Sequence, residues 1–173
     1  MTSEVSTRFD RVPATGGDEV TPGRVAILEW WEDRFGVDRS TFDDHTFWER
    51  GRGNIWCVRG DYPDPVSVEG LGMVCLRTRG RHWKPTTNAV QRFGTAATRN
   101  VIEVNASEAA HFVAGDAQPV EWDGDWGYLI VATLVAGDPA VLGVGQYIDG
   151  ELRSVVPKGR RRSLIGSEHG LGP

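Results

Sequence analysis

Residues 100–147 read NVIEVNASEAAHFVAGDAQPVEWDGDWGYLIVATLVAGDPAVLGVGQY, and the order of elements in this stretch decides the fold. Asn100 to Val104 is a strand. Asn105-Ala-Ser-Glu108 has capping-box spacing and opens a helix through Ala109, Ala110, Phe112 and Val113, which Gly115 ends. Val120 to Trp122 reads as a strand and Asp123-Gly124-Asp125 as a turn. Trp126 to Val135 is a strongly apolar strand, Gly137-Asp138-Pro139 turns the chain, and Val141 to Tyr147 is the next strand. Gly143 and Gly145 leave one face of that strand bare, which suits a bulge, a barrel corner or a close backbone approach. Asp149-Gly150 is a hairpin turn, and Glu151 to Val156 returns as a strand. A strand, a short helix and closely spaced strands predict a small, partly open mixed β-barrel with a helix plugging one end. No repeat is visible.

Immediately upstream, residues 77–100 read RTRGRHWKPTTNAVQRFGTAATRN. From Gly70 to Ile102 there is no Asp or Glu, yet there are six cations: Arg77, Arg79, Arg81, Lys84, Arg92 and Arg99. An acidic protein that clears carboxylates from so long a stretch is expected to keep a surface for an anion. Arg77, Arg79 and Arg81 alternate, which on a strand puts their side chains on one face. Trp83 beside them offers a flat ring on which a base can stack. Pro85 to Phe93 reads as a short helix closed by Gly94; Thr86 and Thr87 at its start are either plain helix-start residues or a phosphate seat. The bland reading of the stretch is a solvated basic strand followed by an ordinary helix.

Further toward the N-terminus, Leu71 to Leu76 suits a buried strand, Asp61 to Pro65 a turn, and Asn54 to Val58 a short strand. Arg50-Gly51-Arg52-Gly53 is another basic patch. Thr21-Pro22 reads as an N-cap with proline at the first helical position. Val25, Ile27, Leu28, Trp31 and Phe35 give a helical stripe, with Gly36 as the stop. Trp30 or Trp31 could face a partner, although core packing is the simpler role. Residues 1–20 are poor in apolar side chains and read as a loose tail.

Charge and composition narrow the classes. The net charge of −5 hides segregation: residues 103–151 carry nine acids and no base, and residues 152–167 five bases and no acid. Only Lys84 and Lys158 among nineteen cationic residues are lysines, a composition like that of proteins from salt-loving, archaeal sources. In molar salt the Debye length is about 3 Å. Binding would then rest on close arginine–phosphate contacts and on stacking. No apolar run reaches the roughly 20 residues that span a membrane, and the N-terminus lacks a signal-peptide design, so a cytoplasmic protein is expected. Cys57 and Cys75 read as reduced core thiols rather than a disulfide. His45, His82, His111 and His169 show no metal-ligand spacing, and there is no P-loop, GxGxxG or G-x-S-x-G. The expectation is a protein that is not an enzyme and uses no cofactor or metal.

The segments NASEAAHFVAGDAQPV, WGYLIV and LGVGQY resemble a PUA-like domain, the RNA-binding barrel of pseudouridine synthases and archaeosine transglycosylases. With DGELRSVVPKGRRRSL, HWKPTTNAVQRFG and LEWWEDRFGVDRSTFDDHTFWERGRGNIW, the chain is more closely similar to the C-terminal RNA-binding region of Sun/FmuF-type RNA cytosine-5 methyltransferases, over residues 22–164. Neither the glycine-rich S-adenosylmethionine loop nor the Pro-Cys motif of that family's catalytic domain appears; Cys57 follows Trp and Cys75 follows Val. The resemblance implies an RNA surface near the helix–Gly115 corner and the LGVGQY strand. It marks Gly115 and Gly143 as positions of close backbone approach, although Gly115 serves equally as a plain helix C-cap. It also matches Lys158 and Arg160 to a basic Pro-Lys-x-Arg end, whereas Arg161 and Arg162 are this sequence's own.

These readings give an α+β protein: a tail over 1–20, a small α/β subdomain over 21–99, a PUA-like barrel over 100–164 and a tail over 165–173. The expected function is binding of structured RNA, ribosomal or transfer, in RNA modification or ribosome maturation. A separate methyltransferase or a ribosomal particle would be a partner; DNA and membranes would not. Arg77, Arg79, Arg81, Lys84, Arg99, Lys158, Arg160, Arg161 and Arg162 would grip phosphates, and Trp83 would stack a base. The competing readings are a protein-docking module that pairs the basic stretch with an acidic partner, and a small-ligand barrel for a modified nucleobase.

Overall fold

The computed structural model describes residues 7–156. The N-terminal half is one antiparallel sheet with two helices against it. Its strands are β1 (Arg8–Arg11), β2 (His45–Glu49), β3 (Asn54–Arg59), β4 (Val66–Ser67), β5 (Met73–Arg77) and β6 (Lys84–Pro85), in spatial order β4-β1-β2-β3-β5-β6. The loose tail expected over residues 1–20 is therefore corrected for its described part. Phe9 is fully buried edge-to-face on Trp56, and the guanidinium of Arg50 lies over both rings. Residues 12–22 are tied by Gly23 N–H to Gly16 O and by the Asp18 carboxylate, which accepts from the N–H groups of Val20 and Thr21. Those N–H groups hold the Asp18 carboxyl below its ordinary range.

Helix α1 (Arg24–Phe35) starts two residues later than the Thr-Pro signal implies, with Gly23 as N-cap. Pro22 and Gly23 are buried instead, and Arg24 N–H bonds Pro13 O. The helix ends at Gly36, left-handed at φ 63°, as a glycine stop requires. Ile27, Trp31 and Phe35 form its buried face, while Val25 is exposed. Helix α2 (Thr87–Phe93) follows β6.

The second half is β7 (Val101–Val104), α3 (Ala106–Ala114), β8 (Gln118–Pro119), β9 (Gly127–Val135), β10 (Asp138–Ile148) and β11 (Glu151–Ser154). The sheet order is β7-β9-β10-β11-β8, parallel between β7 and β9 and antiparallel elsewhere, curled into a half-barrel. The fold is α+β, as the sequence reads. The Asn105–Glu108 capping box is present in both directions, and Gly115 is a left-handed C-cap at φ 91°. The short strand forms at Gln118–Pro119 rather than at 120–122, because the Trp122 indole N–H turns back onto Asp125 O at 2.9 Å and holds that segment as a loop.

The two sheets share a core. In β9 successive residues point to opposite faces. Ile130 packs with Trp31, Phe35, Phe42, Phe47 and Phe93 of the first half, whereas Leu129 and Val131 pack with Phe112 and Leu152 under α3. Burial on both faces explains why this strand reads as an unbroken apolar run. Cys57 and Cys75 are free and buried, and burial pushes the Cys75 thiol well up.

Candidate nucleic-acid interface

The acid-free stretch folds as the β5–β6 hairpin and its connection. Strand β5 ends at Arg77, so the three alternating arginines do not share a strand face. Thr78 turns inward, 1% exposed, its hydroxyl bonded to Val20 O, and the chain then loops out. Arg79 and Arg81 ride that loop, both exposed. The cations are gathered all the same. Arg77 lies directly across from Lys84 in the β5–β6 register. Thr78 N–H bonds Gly53 O at 2.9 Å, which brings the Arg50–Gly53 turn alongside. The Arg79 stem crosses Gly53 so closely that a Cβ there would meet Arg79 Cγ at 2.6 Å.

Among the described residues, none of Arg77, Arg79, Arg81 and Lys84 has a carboxylate within 4 Å, whereas Arg8, Arg11, Arg34, Arg39 and Arg153 all do. Arg77 Nη1 donates to Asn54 Oδ1 at 3.0 Å, and Lys84 Nζ sits 6.0 Å from the Tyr128 ring centre. Most of the guanidinium donors on this hairpin therefore remain available to an anion.

The other site residues divide. Arg99 is exposed, but its Nη1 donates to Asp33 O at 2.9 Å. Together with the Thr98 and Arg99 N–H bonds to Phe35 O, it closes the end of α1, a structural task that accounts for it. Gly115 is accounted for as the α3 C-cap. Gly143 adjoins a bulge in β10 and is buried, and a Cβ there would meet Val156 Cγ2 at 2.8 Å and Thr87 at 3.2 Å. The groups that approach Gly143 are the side chains of Val156 and of Thr87 on α2, which gives this glycine a packing role inside the fold. At the phosphate seat read at α2, Thr86 Oγ1 is taken from within, accepting from Ala89 N–H and donating to Val74 O at 2.6 Å, while the Thr87 hydroxyl is buried without a hydrogen-bond partner. Lys158, Arg160, Arg161 and Arg162 lie outside the described residues.

Beside the cation hairpin the two halves enclose a groove of about 910 Å³. Its walls include Trp30 of α1, Trp83 of the loop, Trp126 just before β9, and Tyr128 and Gln146 of the curled sheet. Trp83 is half-buried, not free. Its indole N–H donates to Glu19 O at 3.0 Å, and its ring lies 6.3 Å from Trp30. Arg34 donates to Tyr128 O at 2.6 Å and to Trp126 O at 3.2 Å, fastening α1 to β9. Burial lowers the pKa of Arg34, and the nearby Asp125 carboxylate partly restores it. Sequence reading missed Trp126, Tyr128 and Gln146 as groove residues, because only packing α1 against the ends of β9 and β10 brings them to Trp83. The faint signal was Trp126, an aromatic next to a DGD turn.

Among the described residues, no three His, Cys, Asp or Glu gather as a metal site. No described helix is long and apolar enough to cross a membrane.

With this geometry in view, the comparisons divide the chain. Residues 99–162 match the family described as the methyltransferase RsmF PUA domain, and the curled sheet with α3 is a PUA-like domain of the Sun/RsmF methyltransferase type. Residues 1–72 match a family of unknown function, DUF7122. The resemblance read over 22–164 is thus matched over its C-terminal part; β1 to β4 fall within the second match, and the cation hairpin at 77–84 lies in neither. No curated protein matches the chain.

Proposed function

We propose that the chain is an RNA-binding module for structured ribosomal or transfer RNA, cytoplasmic, working in RNA modification or ribosome maturation and without catalysis of its own. The observation that carries this reading is the hairpin of Arg77, Arg79, Arg81 and Lys84, whose cations have no carboxylate partner among the described residues and stand beside a PUA-like domain. Proteins do not gather unpaired guanidinium groups without cost, since like charges repel. A polyanion relieves that repulsion with charge-assisted, bidentate contacts. The arginine bias suits such contacts where salt screens diffuse attraction.

The basic C-terminal run has a natural place in this reading. Val156, the last described residue, is buried against Gly143 near Thr87, and Thr87 and Arg77 line one shallow pocket of about 360 Å³. In this reading Lys158, Arg160, Arg161 and Arg162, outside the described residues, add further phosphate contacts. A separate methyltransferase or a ribosomal particle is the fitting partner for a module that supplies recognition alone.

The test is replacement of Arg77, Arg79 and Arg81 together by Glu, with affinity for a structured ribosomal RNA fragment measured by fluorescence anisotropy. All three are exposed, so the fold should persist while binding is abolished. Unchanged affinity in the folded triple variant removes the proposed surface. Docking to an acidic protein through the same cations is the second reading, favoured by their lack of partners. It predicts no nuclease-sensitive excess of 260 nm absorbance in the purified protein.

A further inference from the structure

We propose that the groove between α1 and the ends of β9 and β10 holds one unstacked RNA base, guanine by preference, against Trp83 and Trp126. This rests on the RNA reading above and names a subsite of it. The volume, about 910 Å³, lies in the range of ordinary small-ligand pockets. Four of its wall residues are aromatic: Trp30, Trp83, Trp126 and Tyr128. Trp126 is 60% exposed, the most exposed tryptophan of the fold, and no aromatic ring packs on it among the described residues. A bare indole at the mouth of a groove beside unpaired cations is a platform for a base, because every base has a π-face.

The platform is also held in place. The Trp126 and Tyr128 carbonyls are gripped by Arg34, and the Trp83 indole by Glu19 O. The backbone beneath the platform is therefore already ordered, and binding has chiefly the Trp126 side chain left to fix.

Charge around the groove is divided in a way that fits a nucleotide. Arg81 and His82 stand on the hairpin side, where a phosphate would lie. On the α1 side, Glu29 and Asp33 line the opposite wall together with Arg34, whose guanidinium is committed to the Tyr128 and Trp126 carbonyls. Glu29 has Arg39 at 3.8 Å, whereas Asp33 has no cation within 4 Å among the described residues. Arg39 acts on the Asp33 carboxylate only at longer range, and a carboxylate so placed repels the carbonyl-flanked edge of uracil. It welcomes the adjacent N1–H and N2–H₂ donors of guanine, which match its two oxygens. Gln146 supplies an amide that can donate to O6 or accept from the amino group.

The test uses the full chain and three otherwise identical RNA hairpins, whose single unpaired loop position is guanine, uracil or abasic, with affinities from fluorescence anisotropy. The guanine hairpin should bind about 5- to 150-fold more tightly than the abasic one, the effect of one base–aromatic stack. Trp126→Ala should reduce the guanine hairpin to the abasic level, Trp126→Phe should retain most of the difference, and Asp33→Asn should erase the preference over uracil. Equal binding of the three hairpins by the wild-type chain overturns the subsite. So does a folded Trp126→Ala protein that keeps the full preference. Were Trp126→Ala to unfold, Asp33→Asn decides alone, and an unchanged preference overturns the assignment. In each of these cases the Arg77, Arg79 and Arg81 reversal still abolishes binding if the wider RNA reading holds. No binding of any hairpin or ribosomal fragment removes both.

Discussion

Replacing Gly143 by Ala separates a packing role from an RNA role at a position that the resemblance marks for close approach and that the Val156 and Thr87 side chains cover. A Cβ at this site meets Val156 Cγ2 at 2.8 Å and Thr87 Cγ2 and Oγ1 at 3.2 Å. Both neighbours are buried, Val156 at 1% and Thr87 at 6% exposure, and both have stiff β-branched side chains. The methyl must push α2 away from β10 or bend the bulge. Overpacking of this kind costs about 1–3 kcal/mol. The stiffer unfolded chain returns about 0.4–1 kcal/mol, so the net loss is about 1–2 kcal/mol. For a protein of this size that lowers Tm by about 2–8 °C. The assay pairs a thermal melt with RNA affinity well below the melting range, where the account predicts a lower Tm and unaltered affinity. A variant as stable as the wild type that binds RNA ten-fold more weakly would refute the reasoning and return Gly143 to the interface.

Two further outcomes follow from charge. His45 packs edge-on to Phe93, its Nδ1 buried without a partner. Burial first, then Arg92, Arg59 and Arg24, depress its pKa, while Asp44 opposes them. The unfolded chain thus binds this proton more readily, and the stability His45 contributes is present above about pH 6.5 and lost as pH falls below it. Urea midpoints from pH 7.5 to 5 should fall less steeply in His45→Gln, and parallel profiles would contradict the assignment. The salt dependence of RNA affinity should also shift. If Arg77, Arg79 and Arg81 each neutralise one phosphate, replacing them by Gln reduces the slope of log K against log salt by about 2–3. An unaltered slope would place the phosphates elsewhere.

Much of the fold was legible because local chemistry and tertiary burial agree. The Asn105–Glu108 capping box, the Gly36 and Gly115 stops and the apolar run of β9 each carry their conformation in nearby residues. The misreadings fall where distant contacts decide. Phe9 is the lone apolar residue of a polar strand, and only the partner rings Trp56 and Trp48 make it core. Thr78 looks like any residue in an arginine alternation, yet its bond to Val20 O turns it inward and ends the strand. The site was half visible. Absence of carboxylates marks the hairpin in one dimension, but the groove joins residues 30, 83, 126 and 146, and no spacing rule links those.

Photo-crosslinking of the full chain to a structured ribosomal RNA fragment, with the attached peptides mapped by mass spectrometry, tests the central claim most directly. The account predicts attachment within residues 77–84 and at Trp126, together with the basic run from Lys158 to Arg162. Crosslinks confined to the acidic segment from Glu103 to Glu121, with none on the β5–β6 hairpin, would contradict it.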